Sequence, residues 1–365
     1  MKLQALSLIF SLFFFLNLSA QKEIRHDMRP TEVLQYIDGY YVDNPDMDAL
    51  ATEAIVAILE KLDPHSTYIS REDVADANQQ IQGSFVGVGI RFQIVKDTLL
   101  VINTIEGGPS ERVGILAGDQ IIQVDGETLA GVGIKNSDVR SKLLGEKDSR
   151  VQLAIKRRGE SELLNFTVVR DKIIEHSVVA AYMIDKKIGY IKLIRFSRNS
   201  LEEMQEAISK LKKQGMEDLI VDLQDNGGGL LDVCAHIVDE FLDGNKLIVY
   251  SEGRRRPRKE YRATRKGDFE KGRLMILINE NSASASEIFS GSVQDWDRGL
   301  VVGRRSFGKG LVQQPIPLSD GGEMRLTIAR YFTPSGRFIQ KPYENGNADD
   351  YRKEKYNRYL TGELH

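Results

Sequence analysis

Residues 180–340 alternate short apolar runs with amphipathic stretches, and that alternation leaves few folds open. Runs at 188–193, 218–223, 247–251, 274–278 and 300–302 have strand character. Stretches at 201–214, 230–242 and 284–296 carry apolar residues at helical spacing. Strands separated by helices of this length imply a parallel sheet with covering helices, an α/β core.

Two regions of different character precede it. Residues 24–80 form a helical region: Pro30 starts one segment, and 46–62 and 71–81 follow the helical period. Residues 83–171 are richer in glycine and carry short β-type runs, a β-rich module inserted before the core. The segment from 343 to 365 is polar and offers no obvious closing element. At the other end, Lys2 precedes an apolar run from Leu3 to Leu18, and Ser19-Ala20-Gln21 provides a cleavage point. Residues 1–20 therefore have the form of a secretory signal peptide, with an uncleaved anchor as the alternative. The net charge of −3 gives no electrostatic case for nucleic acid. Cys234 is the sole cysteine, so no intrachain disulfide forms and stability rests on buried cores.

The chemistry concentrates in 281–313. Asn281-Ser282-Ala283-Ser284-Ala285-Ser286-Glu287-Ile288 follows the apolar run 274–278 and opens a helix. Such a turn can expose a serine and point free backbone N–H groups at it. Ser284 and Glu287 also have capping-box spacing, so a plain helix cap competes. Lys309 lies between Gly308 and Gly310. Free lysine, with a pKa of about 10.4, is a poor base at neutral pH, but burial lowers that value. Phe307, Leu311 and Val312 are available to bury it; an exposed lysine in a flexible turn is the bland alternative. Gln313 lies four residues beyond, on the same face if the segment is a strand, where its carbonyl can accept from the lysine.

Residues 222–230 combine strand, glycine-rich turn and helix, a source of N–H groups for an oxyanion. A phosphate loop is disfavoured because the Lys-Ser/Thr ending is missing. Neither His26, His65, His176, His236 nor His365 lies in a triad context, and no His/Cys/Asp cluster has metal-ligand spacing, so neither metal nor cofactor is expected. Gly87-Val88-Gly89-Ile90 can form a loop of N–H groups that holds a carboxylate. The basic run from Arg254 to Lys259 suits a solvated strand or loop, with an anionic-lipid or polyanion contact as the lesser alternative.

Taken together, these segments resemble the C-terminal processing peptidases, or tail-specific proteases. The resemblance runs through Leu62-Asp63-Pro64-His65-Ser66-Thr67-Tyr68-Ile69, the segments 85–90 and 117–126, the turn 222–231, the run 282–288 and Gly308-Lys309-Gly310-Leu311-Val312-Gln313. It implies a crotonase-like α/β protease core at 180–342 with a PDZ domain at 83–171. It implies that Ser284, the middle serine, is the nucleophile, Lys309 the general base and Gln313 the residue that orients it. The matching oxyanion donors are the N–H groups of Ala285 and Gly228, and the tail-binding loop is Gly87, Val88, Gly89 and Ile90. Family members cut exported proteins near their C-termini without cofactors. The implied partners are unstructured C-terminal tails in the periplasm or cell envelope; an adaptor and self-association stay open. Where the family turn reads Asp-Leu-Arg-x-Asn-Pro-Gly-Gly, this chain has Gln224 for the arginine and Gly227 for the proline. Those departures keep a second class open, a PDZ-bearing peptide-binding scaffold without activity.

Overall fold

The computed structural model describes residues 28–264, 266–343 and 348–364. The expected signal segment at 1–20 lies outside the described residues. The chain divides into two compact units, one ending at Ile58 and one beginning at Leu59. In the first, α1 (Arg29–Tyr40) carries Pro30 in its opening turn, where a missing N–H costs nothing. Helix α2 (Met47–Glu60) follows Asp46, whose carboxylate accepts the Ala49 N–H at 3.0 Å.

The second unit opens with β1 (Thr67–Ile69), α3 (Arg71–Gln82) and β2 (Ser84–Gly87). A β-rich module follows: β3 (Ile90–Val95), β4 (Thr98–Thr104), α4 (Pro109–Arg112), β5 (Gln120–Val124), β6 (Glu127–Thr128), α5 (Asn136–Leu143), β7 (Arg150–Lys156) and β8 (Leu164–Val169). Its antiparallel sheet has the order β3-β4-β5-β7-β8, with β6 on β5, so β3 is a free edge. Leu99, Val101, Ile121, Val139, Val151, Ile155 and Val168 fill a core of its own. The exit strand β9 (Asp171–Ile174) pairs antiparallel with β2, Gly87 opposite Asp171. The chain therefore leaves and re-enters along one two-stranded ribbon, as an inserted module requires.

The remaining elements are β10 (Val178–Met183), β11 (Ile188–Leu193), α6 (Ser200–Lys213), β12 (Asp218–Asp222), α7 (Leu231–Asp239), β13 (Leu247–Gly253), β14 (Arg256–Arg262), β15 (Leu274–Ile278), α8 (Ala285–Asp295), β16 (Leu300–Gly303), β17 (Leu311–Pro317), β18 (Glu323–Phe332) and α9 (Ala348–Leu360). One sheet runs β10-β11-β12-β15-β16; β11, β12, β15 and β16 are mutually parallel, and only β10 is antiparallel. This is the mixed α/β architecture that the alternating pattern implies. Helix α6 buries Met204, Ala207, Ile208 and Leu211, one stripe at helical spacing, against the same core as Phe241, Phe289 and Val293.

Two features depart from the sequence reading. Strands β17 and β18 form a hairpin within a second, antiparallel sheet of order β1-β18-β13-β14, and this sheet, not the parallel one, takes the run 247–251 as β13. Pro315 and Pro317 obscure β17 in the sequence, but β17 pairs only with β18, and an edge strand tolerates prolines. The polar C-terminal segment, expected to lack a closing element, contains α9, whose Tyr351 and Arg358 are buried.

Phe289 is fully buried in the core against Phe241, with ring centroids 5.1 Å apart. Phe289→Ala is expected to lower unfolding free energy by about 3–5 kcal/mol, measured by urea denaturation. A loss under about 1 kcal/mol would contradict the packing described.

Candidate active site

Parallel strands β12 and β15 are neighbours, so the turns at their carboxyl ends lie side by side. Hydrogen bonds lace the two turns together. The Asp225 N–H donates to Asn279 Oδ1 at 2.9 Å, while the Asp225 carboxylate accepts from Asn281 Nδ2 at 2.7 Å and Asn279 Nδ2 at 2.9 Å. Those two amides hold the Asp225 carboxyl below its usual range. The Asn226 carbonyl accepts from the Ala283 N–H at 3.0 Å and Ser286 Oγ at 2.8 Å. Ser282 Oγ donates to the Leu223 carbonyl at 2.7 Å.

This lacing sorts the three serines. Ser282 and Ser286 are fully buried and their hydroxyls are spent on backbone carbonyls. Ser284 is half-buried at the crest of the turn, with φ 56° and ψ −112°. A non-glycine residue in that conformation carries strain of about 1–3 kcal/mol, of the kind found where a side chain must be presented sharply. The capping relation also exists, since the Ser284 N–H donates to Glu287 Oε2 at 2.8 Å.

The glycine-rich turn presses against this crest. Gly228 has φ +101°, and a Cβ there would lie 2.8 Å from Ser284 Cβ and 3.0 Å from the Ala285 nitrogen. Its own N–H is taken by Asn226 Oδ1 at 2.9 Å. The Ala285 N–H heads α8 and meets no acceptor among the described residues. It is therefore the better placed of the two expected oxyanion donors. The departures at Gln224 and Gly227 leave the turn anchored: Lys192 Nζ donates to the Gln224 carbonyl at 2.7 Å and lies 3.1 Å from Asp222 Oδ1. Tyr190 Oη completes this anchor at 2.6 Å from Asp222 Oδ2.

Lys309 arrives on a separate segment, and one carboxylate joins it to the serine turn. Glu287, on α8, accepts from Ser306 Oγ at 2.7 Å, the Gly308 N–H at 2.6 Å and the Lys309 N–H at 2.8 Å, besides the Ser284 N–H. Burial pushes its carboxyl above the usual range, against the pull of these donors. Tyr331 Oη makes the complementary contacts, to the carbonyls of Lys309 and, at 3.2 Å, Ser284. Donors of both segments converge on Glu287 and acceptors of both on Tyr331. The pattern of the chain marked Glu287 only as a cap and gave no signal for Tyr331.

Lys309 Nζ donates to Gln313 Oε1 at 2.7 Å. The two residues are four apart, the spacing from which a shared strand face is expected. Lys309 precedes β17, and the β17–β18 register shifts between Val312 and Gln313. The extra residue of that shift is Ile328 on β18, so β17 itself runs on without interruption. Burial lowers the Lys309 pKa from the ordinary lysine value and the Arg325 charge adds to this, while Asp63 and Glu287 oppose it. Among the described residues no hydrogen bond joins Lys309 Nζ to Ser284 Oγ.

The other candidate loop lies in the β-rich module. Gly87 ends β2, Ile90 begins β3, and between them the Val88 carbonyl accepts the Ser110 N–H at 3.0 Å and the Gly89 carbonyl the Ile105 N–H at 2.9 Å. With both carbonyls bonded inward, the loop leads directly into the free edge β3. His236, placed by its pattern among packed residues, is exposed on α7. His65 bonds Tyr351 Oη at 2.7 Å, a long-range partner that no local pattern announces. Among the described residues, no group of three or more His, Cys, Asp or Glu could hold a metal ion.

An α/β core with a serine at a strained strand-to-helix turn, joined through Glu287 to a half-buried lysine, has the layout of a serine-type peptidase. Residues 187–351 match Peptidase family S41, and residues 86–168 match the PDZ domain. A carboxy-terminal-processing protease of Bartonella bacilliformis is 35% identical over 314 residues, covering 85% of this chain and 71% of that protein. A probable CtpA-like serine protease of Staphylococcus aureus is 32% identical over 311 residues, covering 84% of this chain but 61% of its own length. Among solved structures, a photosystem II D1 C-terminal processing protease aligns at 29% identity and TM-score 0.48, over 85% of this chain and 89% of that one. The chain belongs to the carboxy-terminal-processing proteases of peptidase family S41, and it is a serine-type peptidase with a PDZ domain.

Gly228→Ala tests the close approach at the turn, because the added methyl would collide with Ser284. The expected result is a loss of Ser284 labelling by a fluorophosphonate of about 100-fold or more, with the far-UV circular dichroism retained. Wild-type labelling in Gly228→Ala would contradict the arrangement.

Proposed function

We propose that this chain is an exported endopeptidase that cuts proteins near their C-termini, with Ser284 as nucleophile, Lys309 as general base and Gln313 as the residue that orients the lysine. The core at 180–342 would then be crotonase-like. The carrying observation is a half-buried lysine, its pKa lowered, held through Glu287 to the turn that presents Ser284. Lowering that pKa raises the neutral fraction near pH 7, which a lysine base needs.

In the proposed cycle, neutral Lys309 Nζ takes the Ser284 hydroxyl proton as Oγ attacks the scissile carbonyl. The Ala285 N–H stabilises the oxyanion, helped by the N-terminus of α8. Gly228 contributes a second N–H only by sharing or releasing its bond to Asn226 Oδ1. Protonated Lys309 then gives its proton to the leaving amine. Water, deprotonated by the same lysine, attacks the acyl-enzyme carbonyl, and the lysine hands that proton to the departing Ser284 Oγ, which releases the acid and restores neutral Lys309.

Substrate selection rests with the PDZ domain. An extended tail adds as a strand to the free edge β3, and N–H groups of the loop Gly87, Val88, Gly89 and Ile90 receive the terminal carboxylate. The leader-like residues 1–20 support export to the periplasm or cell envelope. Among the described residues, no helix is long and apolar enough to cross a membrane.

The direct test is cleavage of a purified unfolded protein with a flexible C-terminal tail, followed by mass spectrometry. Wild type is expected to cut within the C-terminal region, and Ser284→Ala and Lys309→Ala to lose about 10³-fold or more in kcat/KM. Equal cleavage by all three proteins would defeat the proposal. A second test uses charge. Arg325 depresses the Lys309 pKa, so Arg325→Gln is expected to raise it and move the acid limb of the pH–rate profile to higher pH. A shift to lower pH would contradict this electrostatic account.

A further inference from the structure

Resting on the proposed roles of Ser284, Lys309 and Gln313, we infer that the turn Asp63–Ser66 is a positioning element that decides which end of the Gln313 amide faces Lys309. A glutamine amide has one accepting and one donating end. Lysine acting as a base must keep its lone pair for the Ser284 proton, so its N–H needs an acceptor. The accepting end serves; the donating end would compete for the lone pair. Gln313 Nε2 donates to the backbone carbonyl of His65, which only accepts, and this leaves Oε1 for Lys309 Nζ at 2.7 Å. The carbonyl thus excludes the flipped amide.

The turn is built to hold that carbonyl still. Asp63 Oδ1 accepts the N–H groups of His65 and Ser66, both at 2.8 Å, and Asp63 Oδ2 accepts Ser66 Oγ at 2.6 Å. Ser66 Oγ in turn accepts the Thr327 N–H at 3.1 Å, and Thr327 is the residue opposite Gln313 in the β17–β18 ladder. The turn is therefore fixed to the strand pair that carries the glutamine. Asp63 and Ser66 are both buried. The His65 ring is held separately by Tyr351 Oη, and burial, with the charges of Lys309 and Lys341, pushes its pKa down to about 4 against the pull of Asp63. It is neutral at working pH and contributes position rather than charge.

Charges reach Lys309 from three sides: Arg325 on β18, Glu287 on α8 and Asp63 in the turn, with His65 neutral beside it. Asp63 raises the Lys309 pKa. Asp63→Asn keeps an acceptor for the two turn N–H groups but removes that charge.

A double-mutant cycle read by the second-order rate of fluorophosphonate labelling at Ser284 separates positioning from general scaffolding. Gln313→Ala and Asp63→Ala are each expected to slow labelling by about 100-fold, and Asp63→Ala to add less than about 3-fold when Gln313 is already alanine. Equal slowing by Asp63→Ala in both backgrounds would overturn the inference while leaving Gln313 in its role. Unchanged labelling in Gln313→Ala would instead overturn that role. Asp63→Asn guards against simple unfolding: it is expected to label within about 3-fold of wild type at its optimum and to move the acid limb to lower pH. A loss as large as that of Asp63→Ala, with the acid limb unmoved, would also overturn the inference.

Discussion

The buried carboxylate of Glu287 is the constraint on which the site depends. Ser284 and Lys309 come from different segments, one heading α8 and one preceding β17. Glu287 takes backbone donors from both, and Tyr331 meets backbone carbonyls of both. A buried carboxylate is costly unless it is hydrogen-bonded, and here each of its bonds also fixes a segment of the site. One interaction thus serves stability and registration together. It also brings negative charge near Lys309, and burial and Arg325 prevail over it, so the lysine pKa remains lowered.

Strain and close approach at the paired turns have the same logic. Ser284 occupies a backbone conformation that residues with a side chain rarely adopt, and the bonds around Asn226 and Asp225 hold it there. Gly228 has no side chain because the space a Cβ needs is filled by Ser284 and Ala285. The missing arginine and proline of the turn are offset by Lys192, which grips the Gln224 carbonyl and Asp222 from the neighbouring strand β11. Local departures in sequence need not loosen a turn whose anchors lie elsewhere in the fold.

How much was legible in the sequence follows from the range of each interaction. The parallel strands β11, β12, β15 and β16 showed in the alternation of 180–340, because burial between helices imposes it, whereas 247–251 has the same apolar character but joins the antiparallel sheet. The serine turn and the lysine showed as local signatures. The β17–β18 hairpin did not, since Pro315 and Pro317 break the pattern while an edge position tolerates them. Nor did α9 show, because its buried Tyr351 and Arg358 lie among polar residues without an apolar stripe. Glu287 registered only as a cap, as capping-box spacing is local whereas its bonds to Ser306, Gly308 and Lys309 are tertiary. The Gln313 contact was anticipated from its four-residue spacing to Lys309, which itself lies just before β17 rather than within it.

The central proposal is that the fold makes Lys309 a base by partly burying it on a segment tied through Glu287 to the turn of Ser284. The most direct measurement is an NMR titration of the Lys309 side chain, labelled with ¹³C at Cε and assigned by the loss of its signal in Lys309→Arg. The account predicts a midpoint clearly below the ordinary lysine value of about 10.4. A midpoint at or above that value would contradict it.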